Sequence, residues 1–305
     1  MTGRVAPGCL LAILLLLAIP APPCRSCSQC MCGSPFPADV LGGTVPMQLR
    51  YGFEDRYLSK SNALDSGPGE EIEQEHRVAA FALWRPSDRI ALLGRLPYAV
   101  KELTERPTGE VETSRTEHGI GDAEVQALFE VGRTSSGGEA WLATVLGVTA
   151  PTGSNDLEDE SGARLDAHLQ PGSGAWSGTA GLHLALRASP GILDASVLGR
   201  VNGTNAHGYH YGNTLLYNAG WASRDRAGWQ MLLQMNGRSA GRDQTEDGTL
   251  DENSGGTVLY LAPGARWQGA QGLALEAAVQ IPVLESLYGV QDEHATARIA
   301  ISLGR

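Results

Sequence analysis

The sequence predicts an all-β fold, a transmembrane antiparallel up-and-down β-barrel of about 12 strands. Three observations predict it: apolar and polar residues alternate along most of the chain after residue 45, short and long connections alternate, and tryptophans collect beside the short connections. The 305 residues suffice for one such barrel, and the formal net charge is −11. We therefore predict three parts: residues 1–26, residues 27–44, and a barrel over residues 45–305.

Residues 1–26 have the pattern of a secretory signal peptide. Arg4 precedes an apolar run from Cys9 to Ile19, and Pro20 ends that run. The run is shorter than the roughly 20 residues that a membrane-spanning helix needs. Cleavage after Ala21 and cleavage after Ser26 both fit the sequence, so the two sites stay open.

Residues 27–44 form a Cys-rich segment followed by a Pro- and Gly-rich linker. Cys27, Cys30 and Cys32 are spaced C-x2-C-x-C, and Cys24 lies just before them. In an oxidising compartment such cysteines form disulfides with one another or with a partner. Thiolates at this spacing could also bind one soft metal ion, copper or zinc, and lipidation is a third interpretation. We expect no cofactor elsewhere in the chain.

The barrel strands follow from the period-two alternation. In the first, Leu49, Tyr51 and Phe53 share one face, while Arg50 and Glu54 share the other. The predicted strands are 45–59, 72–84, 89–102, 119–132, 140–152, 172–187, 192–203, 211–223, 228–240, 256–267, 272–284 and 294–304; segments 89–102 and 256–267 alternate least regularly.

The connections support a barrel that crosses a membrane. Short turns such as RPSD, ASPG and QGAQ alternate with long polar loops such as GSNDLEDESGARLDAH. An even number of strands with short turns at one end and long loops at the other is typical of bacterial outer-membrane barrels. Both chain ends then lie at the short-turn end, which faces the periplasm.

Tryptophan favours the membrane–water interface, and most tryptophans here lie near a short turn. We predict that they form an aromatic girdle, with Trp176 at the opposite end. The alternative is a soluble barrel or sandwich with its polar face outward, but its apolar faces, rich in Ala and Gly, would fill a core poorly. The predicted girdle residues are Trp84, Trp141, Trp221, Trp229 and Trp267.

If one strand face contacts lipid, the polar face lines the lumen. Rows of opposite charge there would order water and select small polar or amphipathic solutes. The alternative is that the charges pair with one another and fill a narrow pore. The predicted lumen-lining residues are Arg50, Glu54, Glu124, Gln126, Glu130, His183, Arg187, Asp194, Arg200, Gln230, Gln234, Arg238, Glu276, Gln280 and Arg298.

Other functions are disfavoured by composition and motifs. The acidic chain has no basic patch for a nucleic acid. An enzyme of this kind would need a base placed beside a nucleophile, and we predict that the protein is not an enzyme. His207 and His210 lack a nearby carboxylate or Cys at metal-ligand spacing, which favours hydrogen bonding within a loop.

The motifs GIGDAEVQALFEVG, AWLATVLGVTAPTGSND and LQPGSGAWSGTAGLHLAL occur in this order. With GARLDAH, GRVNGTNAHGYHYG and PVLESLYGVQ, the chain from residue 27 to 305 resembles the outer-membrane transporter family associated with phenol-degradation pathways. The resemblance implies a barrel surrounded by outer-membrane lipid and lipopolysaccharide that passes small solutes, hydrophobic or aromatic ones among them, by diffusion. The alternative is a structural barrel that anchors a periplasmic metal-binding or electron-transfer partner through its Cys-rich N-terminus.

Overall fold

The computed structural model describes residues 48–63, 68–134 and 139–305. Among these residues no helix is long and apolar enough to cross a bilayer. The described segments are the strands β1 (Leu49–Ala63), β2 (Gly69–Ser87), β3 (Ile90–Pro107), β4 (Thr113–Ile120), β5 (Ala123–Thr134), β6 (Glu139–Ala150), β7 (Ser177–Ala188), β8 (Gly191–Asn202), β9 (Thr214–Ser223), β10 (Trp229–Ala240), β11 (Gly256–Gln268), β12 (Leu273–Leu287), β13 (Gln291–Glu293) and β14 (Thr296–Gly304), with one 3-10 turn at Ala270–Gly272.

The strands form one closed antiparallel barrel. Except at β4 and β13, each strand pairs with the strands before and after it in the chain, and β1 pairs with both β2 and β14, which closes the ring. Both β4 and β5 pair with β3, and both β13 and β14 pair with β1, so the fourteen segments occupy twelve positions. The predicted fold class is confirmed.

Strand ends differ from the sequence prediction mainly at the long-loop end. β2 begins at Gly69 and β3 runs to Pro107, several residues beyond the alternating pattern. The residues added at the start of β2, 69–71, read GEE and are polar on both faces. Alternation requires two different environments, so it is lost where a strand extends beyond the lipid.

The two faces of the wall are inverted relative to a soluble barrel. Phe53 and Ile299 are 59% and 62% exposed on the outside, whereas Glu54 and Arg200 are 3% and 9% exposed on the inside. An apolar exterior around a charged interior suits a lipid environment. The soluble alternative is wrong.

The predicted girdle tryptophans lie on the outer face of the barrel, except for Trp141. Trp84 and Trp229 are about half exposed, and Trp229 lies opposite Trp267 on the adjacent strand. Trp141 is buried at 1% exposure on the inner face of β6. Its sequence neighbours are apolar on both faces of β6, so alternation alone could not reveal its direction.

Residues 151–176, which we call the cap, fold into the long-loop mouth of the barrel. Gln170 is fully buried and bonds the backbone of Leu157 and Leu165, which holds the cap together. The Tyr211 hydroxyl donates to the Ala167 carbonyl at 2.7 Å, and Lys101 donates to the His168 carbonyl at 2.5 Å. The cap is therefore fixed to the inner wall.

Both ends of the cap are held by Asp122, at the break between β4 and β5. Its carboxylate accepts hydrogen bonds from the Gly153 amide at 3.0 Å and from the Ser173 amide at 2.7 Å. A Cβ on Gly153 would lie 2.7 Å from backbone atoms of Gly121 and Gly172, so only glycine permits this approach. Three distant sequence motifs thus meet at one point.

Gly153→Ala should loosen the cap and destabilise the protein by about 1–3 kcal/mol, because backbone must move to admit the methyl group. Thermal unfolding, followed by heat-dependent mobility on gels, measures this. Gly178→Ala is the matched control, since its Cβ would meet nothing within 4 Å. Equal melting of the two variants would contradict the packing argument.

Candidate functional site

All the predicted lumen-lining residues are buried or partly exposed, and most of them alternate with more exposed apolar neighbours along their strands. Their role in lining a pathway for solutes stays a prediction. Those buried are Glu54, Glu124, Gln126, His183, Asp194, Arg200, Arg238 and Gln280. Those partly exposed are Arg50, Glu130, Arg187, Gln230, Gln234, Glu276 and Arg298.

Ion pairs connect four strands on one side of the lumen. Glu54 accepts hydrogen bonds from Arg56 at 2.7 Å and from Arg298 at 2.6 Å. Arg298 also bonds Glu276 at 2.7 Å, and Arg266 bonds the other oxygen of Glu276 at 2.8 Å. Each carboxylate therefore joins two guanidinium groups.

A second group of pairs continues around the wall. Glu124 accepts hydrogen bonds from Arg200 at 2.6 Å and from Gln126 at 2.8 Å, and Arg95 lies 3.6 Å away. Arg95 also interacts electrostatically with Glu54, so the two groups are coupled. We call this set the central network; its charged members are Glu54, Arg56, Arg95, Glu124, Arg200, Arg266, Glu276 and Arg298.

Sequence reasoning missed three arginines of the central network. Arg56 continues the polar face of β1, so the alternation already contained its signal. Arg95 and Arg266 lie in the two least regular strands: Pro97 follows closely in β3, and Pro263 precedes in β11. Because these two strands alternate irregularly, the sequence did not show that Arg95 and Arg266 face the lumen.

A further charged layer lies toward the long loops. Lys60 pairs with Glu73 at 2.7 Å, and Arg77 pairs with Glu75 at 2.6 Å. Glu293 pairs with Arg238 and accepts a hydrogen bond from Tyr260 at 2.7 Å. Lys60 and Glu293 lie just beyond the predicted strands, whereas Glu73, Glu75 and Arg77 lie in the first part of 72–84, where the sequence shows little alternation.

One cluster of buried residues on the inner faces, which we call the apolar wall, contains no charged side chain. Leu93, Leu128, Val145 and Leu198 are buried on the inner faces of β3, β5, β6 and β8, where they belong to one hydrophobic cluster with Trp141. Arg133 and Arg187 stack on the Trp141 ring at 5.9 and 5.6 Å. Arg95, Glu124 and Arg200 lie on β3, β5 and β8 as well, so apolar and charged side chains share this part of the wall.

Three spaces follow one another along the lumen. A vestibule of about 590 Å³ opens at the long-loop mouth, and an inner cavity of about 40 Å³ lies below it. A lower chamber of about 50 Å³, lined by Arg50, Glu54 and Phe81, lies toward the short turns. Arg56 and Arg77, both under 9% exposed, lie between the inner cavity and the lower chamber.

His168 of the cap separates the vestibule from the inner cavity and lines both. Its Nε2 lies 3.1 Å from the Tyr209 hydroxyl, 3.6 Å from Asp243 and 3.9 Å from Asp251. Burial opposes the charged ring, but Asp251, Asp166 and Glu73 outweigh it and raise the pKa of His168 to about 9. Sequence reasoning did not select His168, although the motif GARLDAH contains it.

The sequence predicted a possible metal site at three cysteines and hydrogen bonding within a loop for two histidines. Cys27, Cys30 and Cys32 lie outside the described residues, so that metal site stays a prediction. Within the described ranges no group of His, Cys, Asp and Glu could hold a metal ion. His207 contacts Asp156 at 2.6 Å and His210 contacts the Gly203 carbonyl at 3.2 Å, as expected for loop hydrogen bonding.

Solved structures similar to this chain share its barrel. The COG4313 outer membrane channel from Pseudomonas putida F1 matches with a TM-score of 0.65 and 12% identity, over 89% of this chain and 100% of that chain. The transport unit of the autotransporter AIDA-I from Escherichia coli gives a TM-score of 0.49 at 11% identity, over 87% and 91% of the two chains. No curated protein sequence matches this chain significantly.

A family model gives the stronger assignment. The family described as "Putative MetA-pathway of phenol degradation" matches residues 83–286, about two thirds of the chain. The match includes the motifs that meet at Asp122 and most of the strands that carry the apolar wall. With its closed barrel and apolar exterior, the chain belongs to this family of outer-membrane transporters and resides in the bacterial outer membrane.

Proposed function

We propose that this protein passes small hydrophobic or aromatic solutes across the outer membrane by diffusion through the lumen. The observation that carries the proposal is a lumen that combines the apolar wall with the central network and has three spaces in series. An aromatic ring in the lower chamber could contact Phe81, Leu83 and Leu93 while its polar substituent faces the guanidinium groups. The family's association with phenol degradation supports this solute class.

The geometry favours slow passage of small solutes. The inner cavity and the lower chamber each have room for only a few water molecules. Arg56 and Arg77 separate the two spaces, so a solute must displace these side chains to pass. Long arginine side chains can move while the backbone wall stays hydrogen bonded, so passage needs no opening of the sheet.

The alternative, a barrel that anchors a periplasmic metal-binding or electron-transfer partner, depends on Cys27, Cys30 and Cys32. These residues lie outside the described structure, and nothing in the described part supports such an anchor. We propose no catalytic role, because the ionisable groups of the lumen pair with one another rather than activating a nucleophile.

The first test is single-channel conductance of the refolded protein in a planar bilayer, together with uptake of phenol and glucose by liposomes that contain it. We expect a small steady conductance and faster entry of phenol than empty liposomes show. A protein that refolds into the heat-resistant barrel yet gives neither conductance nor uptake would falsify the channel.

Arg56→Ser should raise the conductance several-fold, because it shortens a side chain between the inner cavity and the lower chamber. Glu54 keeps its bond to Arg298 in this variant, which limits the damage to the network. Arg106→Ser removes an exposed arginine paired with Glu112 at the end of β3 and should leave the conductance unchanged. An unchanged Arg56 variant would place the barrier elsewhere.

The cap should loosen at alkaline pH. The folded pKa of His168, about 9, exceeds its ordinary value of 6.5, so its charge contributes stability fully below about pH 6.5 and loses it as pH rises through 9. We expect trypsin to cleave after Arg164 several-fold faster at pH 9.5 than at pH 7, after correction with a peptide substrate.

His168→Gln cannot titrate and should abolish this pH dependence. Cleavage of the variant at one constant, rapid rate supports the role of His168. If the variant keeps the pH dependence of the original protein, another group controls the cap.

A further inference from the structure

We propose that the boundary between the vestibule and the inner cavity binds small neutral aromatic compounds through an oxygen that accepts a hydrogen bond from Lys101. The inference rests on the proposed function in one respect: the solute reaches this boundary through the lumen. It adds a requirement for an accepting oxygen, which the proposed function leaves open, and it assigns that requirement to one side chain.

Lys101 is a buried ammonium group with unused hydrogen-bond donors. It is 4% exposed and lines the inner cavity. Its Nζ donates one hydrogen bond, to the His168 carbonyl, whereas an ammonium group has three donors. Across the described ranges Lys101 forms no other hydrogen bond and no ion pair. Two donors therefore remain for a ligand.

The carboxylates beside Lys101 bond to other side chains. Glu75 and Glu117 lie opposite Lys101 on β2 and β4. Glu75 accepts a hydrogen bond from Arg77 at 2.6 Å, and Glu117 accepts one from Arg115 at 2.8 Å. Each carboxylate thus binds an arginine of its own strand, and Glu75 attracts Lys101 electrostatically without forming an ion pair with it.

Another unused donor follows along the lumen. Arg77 is 6% exposed, and its Nη2 has no hydrogen-bond partner in the part of the chain that the structure describes. Arg77 follows Glu75 by two positions on the same face of β2, so it lies diagonally across from Lys101. A solute oxygen that leaves Lys101 toward the lower chamber therefore meets a second donor.

These donors favour an acceptor that is neutral. A buried donor without an acceptor is costly, so a ligand that supplies an oxygen is stabilised here. Four carboxylates and, with His168 protonated, four basic side chains line the inner cavity, which gives its lining no net charge to attract an ion. The His168 carbonyl that Lys101 already binds is itself a neutral oxygen. We therefore expect a phenol, ether or ketone oxygen rather than a carboxylate or an ammonium group.

The space around Lys101 separates the oxygen of the solute from its ring. The inner cavity has about 40 Å³ of free volume, which admits an oxygen and the atoms beside it. The vestibule has about 590 Å³ and admits a whole ring. Leu169 lines both spaces and Leu103 lines the vestibule, so a ring on these leucines can direct its oxygen toward Lys101. Burial of the ring against them adds a hydrophobic contribution.

The test compares block of the KCl conductance in a bilayer by phenol, anisole and toluene, which share one aromatic ring. Phenol and anisole have an accepting oxygen, only phenol can also donate, and toluene can do neither. We expect phenol and anisole to block at concentrations about tenfold lower than toluene, as a hydrogen bond to a charged donor implies. Stronger block by phenol alone would identify its hydroxyl as a donor and overturn the proposal.

Lys101→Met keeps much of the side-chain volume but removes the donors, so we expect the preference for oxygen to fall from tenfold to less than about twofold. Lys101→Arg restores a charged donor and should keep most of the preference. Arg106→Met is the control, because Arg106 is exposed and pairs with Glu112 outside the lumen spaces. A looser cap would change block by all three compounds alike, so their ratio reports binding of the oxygen. A full preference in Lys101→Met overturns the assignment to Lys101.

The outcomes separate this proposal from the channel itself. Conductance with equal block by the three compounds overturns the oxygen site and leaves the channel intact. A protein without conductance is titrated calorimetrically with anisole in detergent: heat lost in Lys101→Met then supports the site without the channel, and equal heat in the two proteins overturns both. Heat-dependent mobility on gels confirms that each variant has folded; if Lys101→Met has not, Lys101→Gln, which also lacks the ammonium group, supplies the comparison.

Discussion

Closure of the sheet through β1 is the constraint on which the other features of this protein depend. Lipid offers no hydrogen bonds to a backbone, so every strand must find partners on both sides. Pairing of β1 with β2 and with β14 satisfies the last two edges. Once the ring is closed, alternate residues face lipid or lumen, and this division decides where each charged side chain lies.

The sequence alone predicted the parts of the fold that this division controls. Phe53, Glu54, Arg298 and Ile299 follow the alternation, and the structure places them as the pattern indicates. The alternation predicted nothing where the two faces of a strand have similar surroundings. Trp141 lies in a strand whose two faces are both apolar, so the sequence could not predict that its side chain points inward.

The candidate site was less predictable, because its important contacts join residues far apart in the chain. Arg200 reaches Glu124 across the lumen wall, and Arg298 reaches Glu54 from the other end of the chain. The cap has no periodicity at all, since a loop needs none. The motif containing Asp122 was recognised as a family feature, but only the fold shows that it holds Gly153 and Ser173 together.

The reversal of charge along the lumen has an electrical consequence. The vestibule is lined by five carboxylates and two strongly basic side chains, whereas the lower chamber is lined by four arginines and two carboxylates. Mobile cations should therefore accumulate in the vestibule and mobile anions in the lower chamber. A field in one direction draws both kinds of ion toward the boundary near Arg56 and Arg77, and the opposite field depletes it. A lumen that conducts, as we propose, would therefore pass more current in one direction than in the other.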